Sequence, residues 1–245
     1  MLTHSKAHQT FTNRVLQLDA DLELIDIFDA SIKAGLLPTA EERLFEKISH
    51  KKHPVLSRRK VTTTNQKLAM NHLRQTVFSS YIKDLYEEVY EYLRSILVEA
   101  AVNAKVDPKR FVGDHHVDIN ITDVLQADRI QIIIEDIVNK IFRKLENERS
   151  TTALITKTCG KLDIKVSEEK QRKAIYYLEI RHQLVHADGK ADEEFKEKHP
   201  DIPYAAGDYI DLRFKLIKDT RKAVLNFVDE FDQKAIEKGL VSPPN

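Results

Sequence analysis

The longest helical pattern in the chain covers about residues 63–104, and it constrains the fold more than any other feature. Apolar residues recur there at three- and four-residue steps, which places them along one face of an α-helix. At about 1.5 Å per residue, such a helix is about 60 Å long, so we expect shorter helices to pack against it. The apolar stripe consists of Met70, Leu73, Val77, Tyr81, Leu85, Val89, Leu93, Ile96 and Ala100.

The same periodicity predicts four more long helices and two short ones. One short helix opens at Thr39, which has capping-box spacing to an acidic residue, and the other runs from Ser150 to Gly160. The long helices cover about residues 9–34, 122–148, 167–188 and 210–238.

The fold class follows from this pattern and from the scarcity of turn residues. Six glycines and seven prolines in 245 residues are too few for the many turns of an all-β chain. We therefore expect an all-α fold, an up-and-down helical bundle over residues 61–240. Residues 1–60 are expected to form a helical N-terminal extension with a basic loop.

Composition excludes several function classes. The 39 basic and 39 acidic side chains cancel, which argues against coating nucleic acid or membrane by bulk charge but leaves room for a local basic site. A single cysteine, Cys159, forms neither an intramolecular disulfide nor a thiolate metal cluster. No apolar run approaches the ~18 residues of a membrane span, and no apolar signal segment follows Met1. We expect a cytoplasmic protein with no membrane partner.

The segment from Ile180 to Gly189 carries the most chemical information, because Arg181 falls near the middle of an apolar arc on a helical wheel. A guanidinium on an apolar face is costly unless an anion or several acceptors meet it. Arg181 is therefore either paired with a carboxylate in the core or an interface, or it binds a ligand anion such as phosphate. The arc comprises Tyr177, Leu178, Ile180, Leu184 and Val185.

Two histidines, His182 and His186, lie beside Arg181 at the polar edge of that arc. Histidine is the side chain that gives and takes protons near neutral pH. A cation beside a proton-transfer group is what transesterification of a phosphodiester requires. The pair Asp188-Gly189 is expected to end the helix, so that His186 lies accessible in its last turn.

This segment resembles HEPN domains, which are compact α-helical bundles. Arg181 and His186, separated by four residues, match the R-x4-6-H signature of that superfamily. The stretch RHQLVHADGKAD followed by EEF, then IPYAAGDYIDL and a long C-terminal helix, is similar to the RiboL-PSP branch. The resemblance covers roughly residues 65–235.

The resemblance implies an endoribonuclease that needs no metal or cofactor, commonly a toxin or antiphage defence effector. It implies a homodimer in which two motifs meet in a composite active site, and it suggests an antitoxin or sensor protein as a partner. His186 is implied as the proton-transfer residue at the ribose 2′-OH or the leaving 5′-oxygen, and Arg181 as the group that holds the scissile phosphate. His182 stands where the family more often has Asn or Asp, so it either orients His186, binds phosphate or caps the helix.

The absence of a metal-ligand set suits this chemistry. When a 2′-OH attacks the adjacent phosphorus, nucleophile and electrophile are already linked, so proximity supplies much of what a metal ion would provide. The expected products are RNA ends with a 2′,3′-cyclic phosphate and a 5′-hydroxyl.

Two other interpretations compete with this one. His182 and His186 have the spacing of a zinc-binding helix, but Gln183 stands where the metalloprotease motif needs Glu, so we expect no metal site. HEPN-like bundles also serve as non-catalytic dimerisation or RNA-binding modules, in which Arg181 would form a structural ion pair.

Basic residues outside the motif are candidates for contacts with RNA phosphates. The alternative for the basic run over residues 51–60 is a solvated loop. The six candidates are Lys51, Lys52, Arg58, Arg59, Lys60 and Lys190.

Overall fold

The computed structural model describes residues 3–34, 51–52, 63–113, 117–147 and 150–244. These residues form nine helices and no strand, and their single β-bridge joins Lys190 to Tyr209. The predicted all-α class is confirmed. The helices are α1 (Lys6–Lys33), α2 (Thr63–Val102), α3 (Pro108–Val112), α4 (Ile121–Gln126), α5 (Ile130–Asn147), α6 (Thr151–Leu162), α7 (Glu168–His186), α8 (Glu193–Lys198) and α9 (Phe214–Glu237).

Helix α2 is the central element, as its length predicts. It packs against α1, α5, α6, α7 and α9. The predicted apolar stripe is buried from Tyr81 to Ala100, whereas Leu73 near the start of the helix is exposed. Burying each large aliphatic side chain contributes about 1.5–3 kcal/mol, so this stripe supplies much of the driving force for the other helices to dock.

Helix α1 joins the same core from the N-terminal side. It packs on α2 and α9, and its Phe11 and Val15 are buried. The buried Asp232 of α9 accepts a hydrogen bond from the Ser5 backbone N–H at 3.0 Å and one from the Tyr92 hydroxyl at 3.3 Å. The domain boundary expected near residue 60 lies outside the described residues.

Several predicted helix boundaries are correct and others are wrong. The predictions for α1 and α2 are confirmed within a few residues, and the Ser150 hydroxyl caps α6 by accepting from the Ala153 N–H at 3.1 Å. Gly160 does not end α6, which continues to Leu162 because the left-handed turn comes at Asp163. The helix predicted at Thr39 lies outside the described residues.

The helix predicted over residues 122–148 is interrupted, and α4 and α5 are separate helices. The chain becomes extended at Ala127, and the Asn120 side chain caps α4 by accepting from the Thr122 N–H at 2.9 Å. Periodicity missed this break because the apolar residues on both sides keep helical spacing. The helix predicted from residue 210 begins later, at Phe214.

Among the helices of the described residues, none combines the length and the apolar character that a membrane-spanning segment requires.

Candidate active site

Helix α7 carries the predicted motif and ends where the sequence indicates. Its buried face, which includes Leu178 and Ile180, packs against α9, α2 and α6. The helix closes at the Gln183 carbonyl, which accepts from the Ala187 and Gly189 N–H groups at 3.1 and 2.9 Å. Gly189 has φ +77°, a left-handed conformation that costs a glycine little.

The segment after α7 is tied to the loop that precedes α9. The Ile210 N–H donates to the Gly189 carbonyl at 2.8 Å, and the Ala191 N–H donates to the Asp208 carbonyl at 2.9 Å. These bonds hold the GDYI segment against the end of α7 and leave His186 exposed in the last helical turn.

Arg181, His182 and His186 line one open cavity of about 840 Å³, which we call the Arg181 cavity. Its walls come from α2, α7 and α8, together with single residues at the end of α5 and the start of α6. The other lining residues are Tyr86, Glu87, Glu146, Thr151, Glu179, Gln183, Asp192, Glu194, Phe195 and Lys198.

The Arg181 guanidinium lies over the ring of Tyr86 and is only weakly paired with the carboxylate of Glu87. Its carbon lies 4.9 Å from the centroid of the Tyr86 ring, and Nη2 lies 3.4 Å from a Glu87 oxygen. The Glu87 side chain is 56% exposed, so this contact contributes little. The Arg181 Nε is buried and has no hydrogen-bond partner among the described residues. An unpaired buried N–H is costly, so the hydrogen bonding of Arg181 is incomplete.

The two histidines form a pair beside Arg181. Their rings lie 4.7 Å apart at 47°, and both side chains are exposed. Both imidazoles are therefore open to a ligand that enters the cavity.

The apolar arc predicted around Arg181 is correct for Ile180, which is buried, and wrong for Val185, which is 43% exposed.

Glu179 is a buried carboxylate in the wall of the Arg181 cavity that the sequence pattern did not single out. It is 7% exposed, pairs with His199 Nε2 at 2.7 Å and accepts from the Thr152 hydroxyl at 3.1 Å. Burial alone raises the pKa of Glu179, but the hydrogen bond and charge of His199 outweigh it, so that the pKa lies below its ordinary value. The available signal was helical spacing, because Glu179, His182 and His186 share one face of α7.

Gln183 has a structural role. It is buried, and its side-chain oxygen accepts from the Asp192 N–H at 3.2 Å. The Asp192 side chain then caps α8 by accepting from the Phe195 N–H at 2.7 Å. The motif helix thereby fixes α8, which places Glu194 and Lys198 in the cavity wall.

The lining of the Arg181 cavity in a single chain is acidic. Five carboxylates face two permanent cations, and Lys198 is already paired with Glu194 at 2.7 Å. A phosphate that binds there depends on Arg181 itself rather than on the general charge of the cavity. The carboxylates are Glu87, Glu146, Glu179, Asp192 and Glu194, and the cations are Arg181 and Lys198.

Three of the six predicted basic contacts lie within the described residues, and these three do not line the Arg181 cavity. Lys51 and Lys52 are exposed in a turn, and Lys190 lies 5.0 Å from the ring of Tyr209. The remaining candidates, Arg58, Arg59 and Lys60, lie outside the described residues.

One group of three metal-ligand side chains occurs in the described part of the chain, and it lies apart from the motif. His4, His8 and Asp232 offer ligand atoms within 4.8 Å of one another. The two rings stack at 3.9 Å and 13°, and His8 Nε2 already pairs with Asp229 at 2.7 Å. Asp232 is satisfied by Ser5 and Tyr92, and the cluster is best described as the junction of α1 with α9.

Comparison with protein-family models, with curated proteins and with solved structures found no match.

Proposed function

We propose that the protein is a metal-independent endoribonuclease of HEPN type that cleaves RNA by attack of a ribose 2′-OH on the adjacent phosphorus. One observation carries the proposal. Arg181, with an unpaired buried Nε and only a weak carboxylate contact, opens onto the same cavity as two exposed imidazoles, His182 and His186. A fixed cation with spare donors beside two proton-transfer groups suits a phosphodiester better than a neutral ligand.

The residues have separate roles in this mechanism. A neutral imidazole takes the proton of the 2′-OH as the oxygen attacks phosphorus, and a protonated imidazole gives a proton to the leaving 5′-oxygen. We assign one of these two steps to His186 and place His182 as the partner imidazole, because the two rings are 4.7 Å apart. The Arg181 donors stabilise the charge that develops on the phosphoryl oxygens. The products are a 2′,3′-cyclic phosphate and a 5′-hydroxyl.

The acidic lining of the Arg181 cavity supports a composite site in a homodimer. Within one chain, five carboxylates oppose binding of a polyanion, so added positive charge is needed around the scissile phosphate. A second copy of the motif would bring a second Arg181 and a second His186. Val185, exposed beside His186, offers apolar surface for such a contact. A role as a defence effector or toxin, restrained by an antitoxin or sensor protein in the cytoplasm, belongs to the same proposal and rests on the sequence resemblance alone.

A growth assay tests the proposal in cells. Expression of the wild-type chain is expected to arrest growth of the host, and His186→Ala is expected to relieve the arrest. His72→Ala is a matched control, because His72 is an exposed histidine of α2 that does not line the Arg181 cavity. Equal toxicity of wild type and His186→Ala, with both proteins present at equal level, contradicts the proposal.

The alternative is a non-catalytic HEPN-like module for dimerisation or RNA binding. The ion pair of Arg181 with Glu87, at 3.4 Å, favours it, because a carboxylate partner is what a structural role for Arg181 requires. A scaffold of this kind predicts that the host tolerates wild type and His186→Ala equally well.

A further inference from the structure

A second cavity, which we call the tyrosine cavity, adjoins the Arg181 cavity. Its volume is about 460 Å³, and it is formed by the first half of α7, the loop after α8 and the start of α9. Lys198 lines both cavities, Glu179 lines only the Arg181 cavity and His199 lines only the tyrosine cavity. The hydrogen bond between Glu179 and His199, 2.7 Å long, is therefore part of the wall between them.

Three tyrosine rings line the tyrosine cavity. The rings of Tyr176 and Tyr177 lie 4.7 Å apart at 53°, and the third ring is that of Tyr204. The Tyr176 ring also contacts the rings of Phe195 and His199, with centroid distances of 5.9 and 5.2 Å. Burial raises the pKa of all three hydroxyls, so they remain neutral hydrogen-bond donors and do not repel an anion.

The edge of the tyrosine cavity is basic. Five cations line it against three carboxylates, the reverse of the balance in the Arg181 cavity. Within the described residues, Arg172 and Lys215 form no ion pair, whereas the other three cations are paired with neighbouring carboxylates. Arg172 precedes Tyr176 by one helical turn, which puts its side chain on the same face of α7. The cations are Arg172, Lys173, Lys198, Arg213 and Lys215, and the carboxylates are Asp201, Asp211 and Asp219.

Aromatic rings combined with unpaired cations are the features that bind nucleotides without reading sequence. Bases of any kind stack on aromatic side chains, and lysine or arginine binds the phosphate. The volume of about 460 Å³ lies within the range of about 300–1,000 Å³ found for small-molecule sites. Lys198 at the end of α8 lines both cavities, so a strand that crosses it can enter both.

We infer that the tyrosine cavity binds one nucleotide of the RNA strand that is cleaved in the Arg181 cavity. Its base lies against Tyr177 and Tyr204, and its phosphate lies on Arg172 and Lys215. This inference rests on the proposed ribonuclease function and assigns the substrate a second contact. The tyrosine cavity would thus supply the affinity for RNA that the acidic Arg181 cavity lacks.

The test measures binding of a short 2′-O-methyl oligoribonucleotide, which cannot be cleaved because it lacks the 2′-OH nucleophile. Fluorescence anisotropy is expected to show about tenfold weaker binding for Tyr177→Ala, in line with the loss of one base stack, and little change for Tyr177→Phe. Tyr209→Ala is the matched control, because Tyr209 is 68% exposed and lines neither cavity.

A second pair of substitutions tests the phosphate contact. The double variant Arg172→Ala, Lys215→Ala is expected to weaken binding and to flatten its dependence on salt, because two phosphate contacts are lost. Lys222→Ala changes an exposed residue of α9 that lines neither cavity. It is expected to leave the affinity and its salt dependence unchanged. Unaltered affinity in Tyr177→Ala and in the double variant, with both proteins folded by circular dichroism, overturns the inference.

Two further measurements separate the possible failures. If adenosine 5′-monophosphate binds and Tyr177→Ala weakens only its binding, the cavity takes a free nucleotide and the assignment to the RNA strand is wrong. Cleavage of a diribonucleotide, which is too short to fill both cavities, is expected to be unchanged in Tyr177→Ala. If wild type cleaves no RNA but Tyr177→Ala still lowers the affinity for the 2′-O-methyl oligonucleotide, the ribonuclease proposal fails. The assignment of a nucleotide site to the tyrosine cavity is then retained.

Discussion

The two cavities that meet at the Glu179–His199 wall have opposite character. The Arg181 cavity holds an under-paired guanidinium and two exposed imidazoles within an acidic lining. The tyrosine cavity holds three aromatic rings and an excess of cations, two of them without an ion pair among the described residues. This contrast is the basis on which we propose proton transfer in the first cavity and nucleotide binding in the second.

This difference bears on the proposed ribonuclease function, because the chain has no net charge. Broad basic surfaces supply most of the affinity of proteins that coat nucleic acid, and the net charge of this chain is zero. A small basic cavity next to an acidic one localises the attraction instead. In this account, the strand is held at the tyrosine cavity, and Arg181 contacts only the phosphate that reacts.

The largest expected effect comes from exchanging an arginine for lysine in each cavity. Arg181→Lys is expected to lower kcat for RNA cleavage by about 10²–10³-fold, because lysine lacks the planar set of donors that stabilises the developing charge. Arg172→Lys keeps a positive charge near the tyrosines and is expected to change KM slightly and kcat not at all. Steady-state kinetics on one RNA checks both, and equal losses of kcat would remove the distinction between the cavities.

The wall between the cavities gives the next largest effect. Glu179→Gln removes the charge of a buried pair and is expected to destabilise the fold by about 2 kcal/mol, measured by urea unfolding. Glu194→Gln is the control, because the exposed pair of Glu194 with Lys198 contributes at most a few tenths of a kcal/mol.

The ion pair of Glu179 with His199 also predicts how the free energy of unfolding depends on pH. Because the folded-state pKa of Glu179 is lowered, its contribution is complete above the unfolded-state value of about 4.3. It is lost as pH falls through the lower folded-state pKa. The urea midpoints of wild type and Glu179→Gln should therefore differ at pH 6 and converge in strong acid. A difference that stays constant over that range would show that the pair is not ionised.

The features that could be predicted from the sequence are local ones, set by spacing within one helix. The contacts between residues far apart in the chain could not be predicted. Helical spacing was enough to place Arg181, His182 and His186 near the end of one helix. The carboxylate of Glu87 and the ring of Tyr86 come from α2, about 95 residues earlier in the chain, and no pattern near the motif points to them. The partner of Glu179 comes from the loop after α8, a helix that periodicity missed because it has only six residues. The tyrosine cavity likewise requires three elements to meet, so no local pattern in the sequence indicates it.

The smallest expected effect tests the acidic lining of the Arg181 cavity. Glu87→Gln removes the carboxylate that competes with phosphate for Arg181 and is expected to raise affinity for the 2′-O-methyl oligonucleotide about two- to fivefold. Glu91→Gln, on the same helix but outside the cavity, is the control. Weaker binding in Glu87→Gln would mean that the carboxylate positions Arg181 for RNA and does not compete with it.

The chemistry of the RNA ends left by cleavage distinguishes the proposed mechanism from metal-dependent hydrolysis. Purified protein in excess chelator is expected to leave a 2′,3′-cyclic phosphate on one fragment and a 5′-hydroxyl on the other, and His186→Ala is expected to leave the RNA intact. Fragments with 3′-hydroxyl and 5′-phosphate ends, or cleavage that occurs only when magnesium or zinc is added, would contradict the account.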